Sequence, residues 1–353
     1  MLESGHVEVV LVVIGEPRRS GVRSYSQELT GSADPQLAEV GHDRADVTTA
    51  RLGRSDDTPT TGPVALPTMV SFGVTMFPTD KAINPMVLAQ EAEARGFESI
   101  WFPEHSHIPT SRETPWGGNP KAPPLPEEYW RTHDQFVALG MAAAVTTTIK
   151  VGTGITLVAQ RDPIWLAKQV ATVDALSGGR LLFGIGYGWN KEELAHHGVR
   201  YTDRRAVLRE RILAMKEIWT KDEAEFHGEH VDFSSSWSWP KPTQKPHPPI
   251  ILGGSAGPKT MADIVEFCDG FMPIAGRYDI ATQITQIRQM ATNAGRDPAT
   301  IEFGQFGTPA KPEIIDQMIE AGLARILFSL PPAGDDEVLP LLDRYAEVAG
   351  QYT

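Results

Sequence analysis

Two histidines and a glutamate stand together in Trp101-Phe102-Pro103-Glu104-His105-Ser106-His107. Histidine exchanges protons near neutral pH, and a carboxylate beside it can orient the ring. The segment therefore reads as an acid/base centre, with His105 and Glu104 as its members; a hydrogen-bonded loop pair is the plainer alternative. A His-x-His pair is also a metal-ligand pattern, but a barrel metal site needs further His or Asp ligands at later strand ends, and those positions hold Gly253, Gly254 and Pro273. The single cysteine, Cys268, excludes an internal disulfide and any multi-cysteine cluster. No metal is expected.

Three glycine-bearing segments could approach a ligand closely. Pro249-Ile250-Ile251-Leu252-Gly253-Gly254-Ser255 leads into a helical stretch at Pro258. Glycines let the backbone come near a ligand, the helix start offers free N–H groups to an anion, and Ser255 adds a hydroxyl donor, which reads as a phosphate cradle or else as a tight β-to-α turn. Val151-Gly152-Thr153-Gly154-Ile155 places two glycines in an apolar strand, a mark of a bulge or of a nearby ligand. Gly184-Ile185-Gly186-Tyr187-Gly188 does not complete a G-x-G-x-x-G fingerprint, because Trp189 occupies the last position.

These segments must be held by regular elements, and from Met69 onward the sequence supplies them in alternation. Strands are predicted at Val70–Thr75, Glu98–Phe102, Ile149–Leu157, Arg180–Ile185, Pro249–Leu252, Asp269–Met272, Ile301–Phe306 and Arg325–Phe328. Each is followed by a stretch with helical signals, such as Asn84-Pro85 or Asp162-Pro163 at a start and Gly96 or Gly178-Gly179 at a stop. Eight short, apolar, β-branched strands in βα order predict a single α/β domain, a (β/α)₈ TIM barrel over residues 69–353. A doubly wound open sheet is the alternative. Two connections are long: Pro103 to Glu128, a candidate lid on the carboxyl-terminal rim, and Lys221 to Pro248.

Four of these segments in this order resemble the bacterial-luciferase-like superfamily, and within it the coenzyme F420-dependent oxidoreductases. They are the Glu104-His105 pair, Val-Gly-Thr-Gly-Ile from Val151, Gly-Arg-Leu-Leu-Phe-Gly-Ile-Gly-Tyr-Gly-Trp from Gly179, and Pro-Pro-Ile-Ile-Leu-Gly-Gly-Ser from Pro248. The resemblance spans about residues 70–350. It implies that Glu104 and His105 sit against the reactive ring of a deazaflavin, with His105 as general acid/base; many relatives carry Asp where Glu104 stands. It implies a non-prolyl cis peptide at Gly154-Ile155 supporting the ring from behind. It places Tyr187, Gly188 and Trp189 near the cofactor's linker or phosphate, and the phosphate itself at Gly253, Gly254 and Ser255. Some relatives have a proton-donating Glu at the Trp189 position, and its absence argues against glucose-6-phosphate chemistry. Glu193 matches a recurrent glutamate with a structural or rim role. Trp101, Trp116, Trp130 and Trp189 are available to line an apolar pocket, or simply to pack.

Three functions follow: an F420-dependent oxidoreductase moving a hydride between the deazaflavin and a small organic substrate; an FMN-dependent monooxygenase using reduced flavin and O₂; or a non-catalytic flavin-binding protein. The resemblance also implies a homodimer. The composition fits a small-molecule enzyme. Of 353 residues, 32 are Lys or Arg and 45 Asp or Glu, a net charge of −13 that disfavours nucleic acid and anionic membrane. No apolar run approaches the roughly 20 residues of a membrane span, and the early run Val7 to Ile14 lacks the flanks of a secretory signal, so a cytoplasmic protein is expected. Residues 1–68 contain one aromatic, Tyr25, and no lysine. Such a segment buries too little apolar surface to offset its ordering entropy. It is expected to be a disordered extension, even an upstream start with Met69 as the working one, or else a tail whose Val9–Ile14 run adds an edge strand.

Overall fold

Asx residues and prolines mark the helix starts, and apolar β-branched runs between them form the strands. The computed structural model describes residues 69–277 and 279–352; the extension expected over residues 1–68 lies outside them. The chain runs β1 (Ser71–Thr75), α1 (Pro85–Ala94), β2 (Ser99–Phe102), α2 (Glu128–Arg131), α3 (Gln135–Ala144), β3 (Lys150–Thr153), β4 (Thr156–Leu157), α4 (Pro163–Leu176), β5 (Leu181–Gly186), α5 (Lys191–His196) and α6 (Arg204–Thr220). It continues β6 (Glu223–His227), β7 (Asp232–Trp237), β8 (Ile250–Leu252), α7 (Pro258–Phe267), β9 (Gly270–Phe271), α8 (Ile280–Asn293), β10 (Glu302–Phe306), α9 (Pro312–Glu320), β11 (Arg325–Ser329) and α10 (Asp335–Ala349). Asn84, Asp134 and Asp162 cap α1, α3 and α4, each accepting a backbone N–H of the first turn at 2.9 Å.

The barrel closes. Its parallel pairings run β3-β2-β1-β11-β10-β9-β8-β5-β4, and β3 pairs with β5 as well. Eight barrel strands result, because β3 and β4 are two halves of one strand, interrupted at Gly154 and Ile155 with a cis peptide between them. The single strand expected over Ile149–Leu157 is corrected accordingly. Each strand adds one layer of side chains to the inside and one to the outside. Inside, Trp101, Leu182, Ile251, Met272, Phe306 and Leu327 pack together. Trp101 lies edge-on to Phe306 at 5.6 Å between ring centroids. A Cβ at Gly152 would lie 2.3 Å from the Trp101 ring, so the glycine makes room for the indole. Trp101 is therefore a core residue, the packing role rather than the pocket role of the two that the sequence left open.

Two features answer to signals that the residue pattern did not carry. The long connection from Lys221 contains the antiparallel hairpin of β6 and β7, which Glu210 of α6 holds by accepting the backbone N–H groups of Glu229, His230 and Val231. At the amino-terminal end of the barrel, Arg325 of β11 joins Glu98, just before β2, to Glu302 of β10, and Lys150 of β3 also pairs with Glu98 at 2.8 Å. Burial pushes the Glu98 carboxyl up, but Arg325 and Lys150 outweigh it and bring the group down to about 2. This charged seam lies at the opposite end from the carboxyl-terminal mouth. Among the described residues no helix is long and apolar enough to cross a membrane.

Candidate active site

The carboxyl ends of the strands surround a cavity of about 530 Å³. Thr75, Pro103, Ile155, Gly186, Gly253, Met272, Phe306 and Ser329 reach it from each of the eight barrel strands or the residue just after. Its walls are mostly apolar, which is the usual make-up of a small-molecule site. Gly154, Ile155, Tyr187, Gly188, Trp189, Gly253, Gly254 and Ser255 all line it. The structure thus brings three segments separated by up to a hundred residues into one wall.

The break between β3 and β4 sets this geometry. Interrupting a strand frees backbone groups that must find other partners. Gly154 N–H donates to the Phe102 carbonyl at 2.7 Å. Buried Gln135 donates to the same carbonyl at 2.6 Å and accepts the Thr156 hydroxyl at 2.7 Å. Ile155 then projects across the mouth. A Cβ at Gly186 would lie 2.4 Å from Ile155 Cδ1, and one at Gly253 2.8 Å from its Cγ2. These two glycines leave Ile155 the room it needs. Gly254 has φ +119, a conformation that side chains rarely adopt.

Glu104 and His105 are not on the cavity wall, and they do not form a pair. After Phe102 the loop leaves the barrel at Pro103 and meets the cavity again only at Gly117 and Glu128. Glu104 turns toward the strand break and spends both oxygens there: the Leu157 N–H donates to Oε2 at 2.7 Å, and Arg161 Nε donates to Oε1 at 2.6 Å. Burial alone would lower the Arg161 guanidinium, and the Glu104 carboxylate beside it holds it above the ordinary arginine range. His105 turns the other way. Its Nδ1–H donates to Oε2 of fully buried Glu193 at 2.8 Å, and the Ser106 N–H donates to Oε1 of the same carboxylate at 3.2 Å. The orienting carboxylate for His105 is Glu193, not Glu104, and this corrects the expected pairing. Tyr129 and Trp189 cover the imidazole, with ring centroids at 5.1 and 5.9 Å. Trp189 is the member of this cluster that faces the cavity. Of the other tryptophans, Trp116 lines a neighbouring hollow of about 420 Å³ and Trp130 is half exposed.

Below Trp189, Tyr187 donates its hydroxyl to Asp263 Oδ2 at 2.5 Å, and Arg205 stacks over its ring at 4.3 Å. Burial raises the phenol well above its usual range, and the Asp263 acceptor raises it further, so Tyr187 acts as a fixed donor. Sequence reading had no signal for Gln135, for the partnership of Glu193, or for Arg204, which also lines the cavity. Their partners are far away in the chain, and no local spacing encodes them. His107, His196 and His197 form a separate cluster linked through Ser106; His107 Nε2 and His196 Nδ1 are 2.8 Å apart. Among the described residues no group of three His, Cys, Asp or Glu is arranged to hold a metal ion.

Comparison with known proteins places this geometry. Residues 72–327 match the model of a family described as luciferase-like monooxygenase. An uncharacterized protein of Mycobacterium tuberculosis is 37% identical over 279 residues, covering 78% of this chain and 97% of its own. The F420-dependent hydroxymycolic acid dehydrogenase of the same organism is 27% identical over 251 residues, covering 70% of this chain and 64% of its own. The FMNH(2)-dependent dimethylsulfone monooxygenase of Pseudomonas putida is 36% identical over 127 residues, 35% of each chain. Among solved structures, a monooxygenase from Streptomyces bottropensis superposes with a TM-score of 0.66 at 18% identity, covering 80% of this chain and 100% of the other. The coenzyme F420-dependent tetrahydromethanopterin reductase from Methanopyrus kandleri superposes with 0.60 at 19% identity, covering 81% and 98%. At those identities the structural matches speak for the fold.

Proposed function

The chain belongs to the luciferase-like monooxygenase family, and on that premise we propose that it is a coenzyme F420-dependent oxidoreductase acting on a small organic substrate. The observation that carries the reading is the cavity wall built from Ile155, Gly186 and Gly253. Added Cβ atoms at the two glycines would collide with Ile155. The glycines therefore keep a smooth apolar floor on which a flat ring can lie. The Gly253–Ser255 turn on the same wall suits an anionic substituent of that ring. The residues present fit a deazaflavin or flavin. The F420-dependent dehydrogenase matches 70% of this chain and the FMNH(2)-dependent monooxygenase 35%.

When bound, the deazaflavin supplies a carbon centre that gives or takes a hydride. The protein's part is to hold, orient and exclude. Ile155, Met272 and Phe306 present apolar surface to the ring. Trp189 closes the side nearest His105. We assign His105 the proton exchange, because Glu193 fixes its Nδ1–H and Nε2 makes no hydrogen bond among the described residues. Contact between Nε2 and a substrate requires the Tyr129–Trp189 cover to shift, and such catalytic contacts commonly tighten only in the complex. Glu104 and Gln135 are positioning residues that brace the strand break under Ile155.

The second reading is an FMN-dependent monooxygenase. It is favoured by the 36% identity, over a shorter stretch, to the dimethylsulfone monooxygenase. The two readings separate in one experiment. Purified chain is titrated with F420 and with FMN separately, following cofactor fluorescence, and substrate panels are then run with and without O₂. The proposal expects F420 binding and oxygen-independent turnover. Tight FMN binding with no F420 binding, and turnover that needs O₂, reverses it.

A further inference from the structure

We propose that Arg204 is the cation that neutralises the cofactor phosphate, an inference that rests on the cofactor-binding reading above. Arg204 lines the same cavity as Tyr187 and the Gly253–Ser255 turn. Its place on that wall is fixed by its neighbour. Arg205 Nη1 donates to Thr260 Oγ1 at 3.1 Å, and Arg205 Nη2 donates to Asp263 Oδ2 at 2.6 Å. Both acceptors belong to α7, which begins at Pro258, three residues beyond Ser255. The first turn of α6 is thereby docked beside the turn proposed to hold the phosphate.

The two arginines differ in what they lack. Arg205 has Asp263 as its ion-pair partner, while Arg204 makes no ion pair among the described residues. The Arg204 guanidinium lies 3.5 Å above the Tyr201 ring, and its Nη1 donates to the Tyr201 carbonyl at 2.5 Å, so its direction is set. Its Nε is buried with no acceptor. Burial holds this guanidinium below the ordinary arginine range, as happens to a charge awaiting a counter-ion. A buried donor without a partner is costly, and a guanidinium meets a phosphate through paired, charge-assisted N–H···O bonds. Arg277, the other cation on the cavity, is exposed and is shared with the neighbouring hollow, so it does not offer the same enclosed contact.

The test compares ligands with and without the phosphate, of which FMN and riboflavin differ in the phosphate alone. Wild type, Arg204→Gln and Arg204→Lys are each titrated with FMN and riboflavin, and with F420 and the deazaflavin that lacks its phosphate and tail, with circular dichroism confirming the fold of each variant. Wild type is expected to prefer the phosphorylated ligand of whichever pair it binds. Arg204→Gln should lose roughly tenfold to a hundredfold in affinity for that ligand, the range of one or two charge-assisted hydrogen bonds, and should bind the phosphate-free ligand as wild type does. Arg204→Lys should fall between, since it keeps the charge but not the paired geometry. If Arg204→Gln binds both ligands of the pair as wild type does, or weakens both equally, the assignment of Arg204 fails and the cofactor reading stands. If Arg204→Gln does not fold, Arg204→Lys decides: wild-type affinity for the phosphorylated ligand overturns the assignment, and a selective loss supports it. If wild type binds none of the four ligands, the cofactor reading itself fails.

Discussion

Glu104 and His105 are adjacent in the chain and serve different structures. Glu104 neutralises Arg161 and caps the Leu157 N–H, so Glu104→Gln should leave a largely buried cation with only the half-exposed Asp134 carboxylate at 3.4 Å. A loss of about 3 kcal/mol in urea unfolding is expected, together with weaker cofactor binding through the disturbed strand break. An unchanged unfolding midpoint with reduced turnover would instead make Glu104 a reactive group. His105 makes the opposite prediction. His105→Asn should keep cofactor affinity within about twofold and reduce turnover by about 10² or more, as loss of a general acid/base does, and Glu193→Gln should reproduce part of that loss. Steady-state turnover measured beside cofactor titration checks both variants; full turnover in His105→Asn removes the residue from the mechanism. The sequence exposed His105 through its neighbours in the strand-end motif. It pointed to Glu193 through the family resemblance but concealed its partnership with His105, because the two are 88 positions apart and the carboxylate sits in an ordinary helix start behind the Asn190 cap.

At the scale of elements, glycines decide what the strands can carry. Gly152 faces Trp101, and a Cβ there would lie 2.3 Å from the indole. Gly152→Ala should therefore destabilise the barrel by about 1–3 kcal/mol, the usual cost of overpacking, measured by thermal or urea unfolding. Gly253→Ala is expected to act differently, since the atom it meets is the Ile155 Cγ2 methyl. The fold should persist while cofactor affinity falls, and calorimetric titration beside a melting curve separates the two effects; a fall in stability with affinity unchanged would contradict the assigned floor. The βα alternation was legible because buried parallel strands are apolar on both faces and the helix starts carry Asx and Pro signals such as Asn84-Pro85. The interruption at Gly154 and Ile155 showed in the residues as two glycines in an apolar run, and the family resemblance put a cis peptide at that bond, where it is found. The hairpin of β6 and β7 was hidden because its strands are mostly exposed and polar, as in Asp232-Phe233-Ser234-Ser235-Ser236-Trp237.

The whole molecule separates stability from function along the barrel axis. The amino-terminal end carries the Glu98–Arg325–Glu302 seam, while the carboxyl-terminal end carries the apolar cavity. Glu98 titrates at about 2 in the folded chain against an ordinary 4.5, so it binds fewer protons folded than unfolded. Its contribution, about 3 kcal/mol for a shift of this size, is fully present above pH ~4.5 and is lost as pH falls toward 2. Glu93 acts in the same direction: burial raises its carboxyl, but the N–H groups of Thr148, Ile149 and Thr147 together outweigh it and bring the group down to about 2. Urea midpoints should therefore fall steeply between pH 4.5 and 3, and Glu98→Gln should flatten that fall; equal slopes would remove the seam from the acid response. At the other end of the axis, the claim on which the rest depends is that the mouth takes a tricyclic redox cofactor. A crystal structure of the full chain grown with F420 tests it most directly. The ring should lie against Ile155, with its phosphate on Gly253–Ser255 beside Arg204; well-defined F420 bound anywhere outside this mouth would contradict the account.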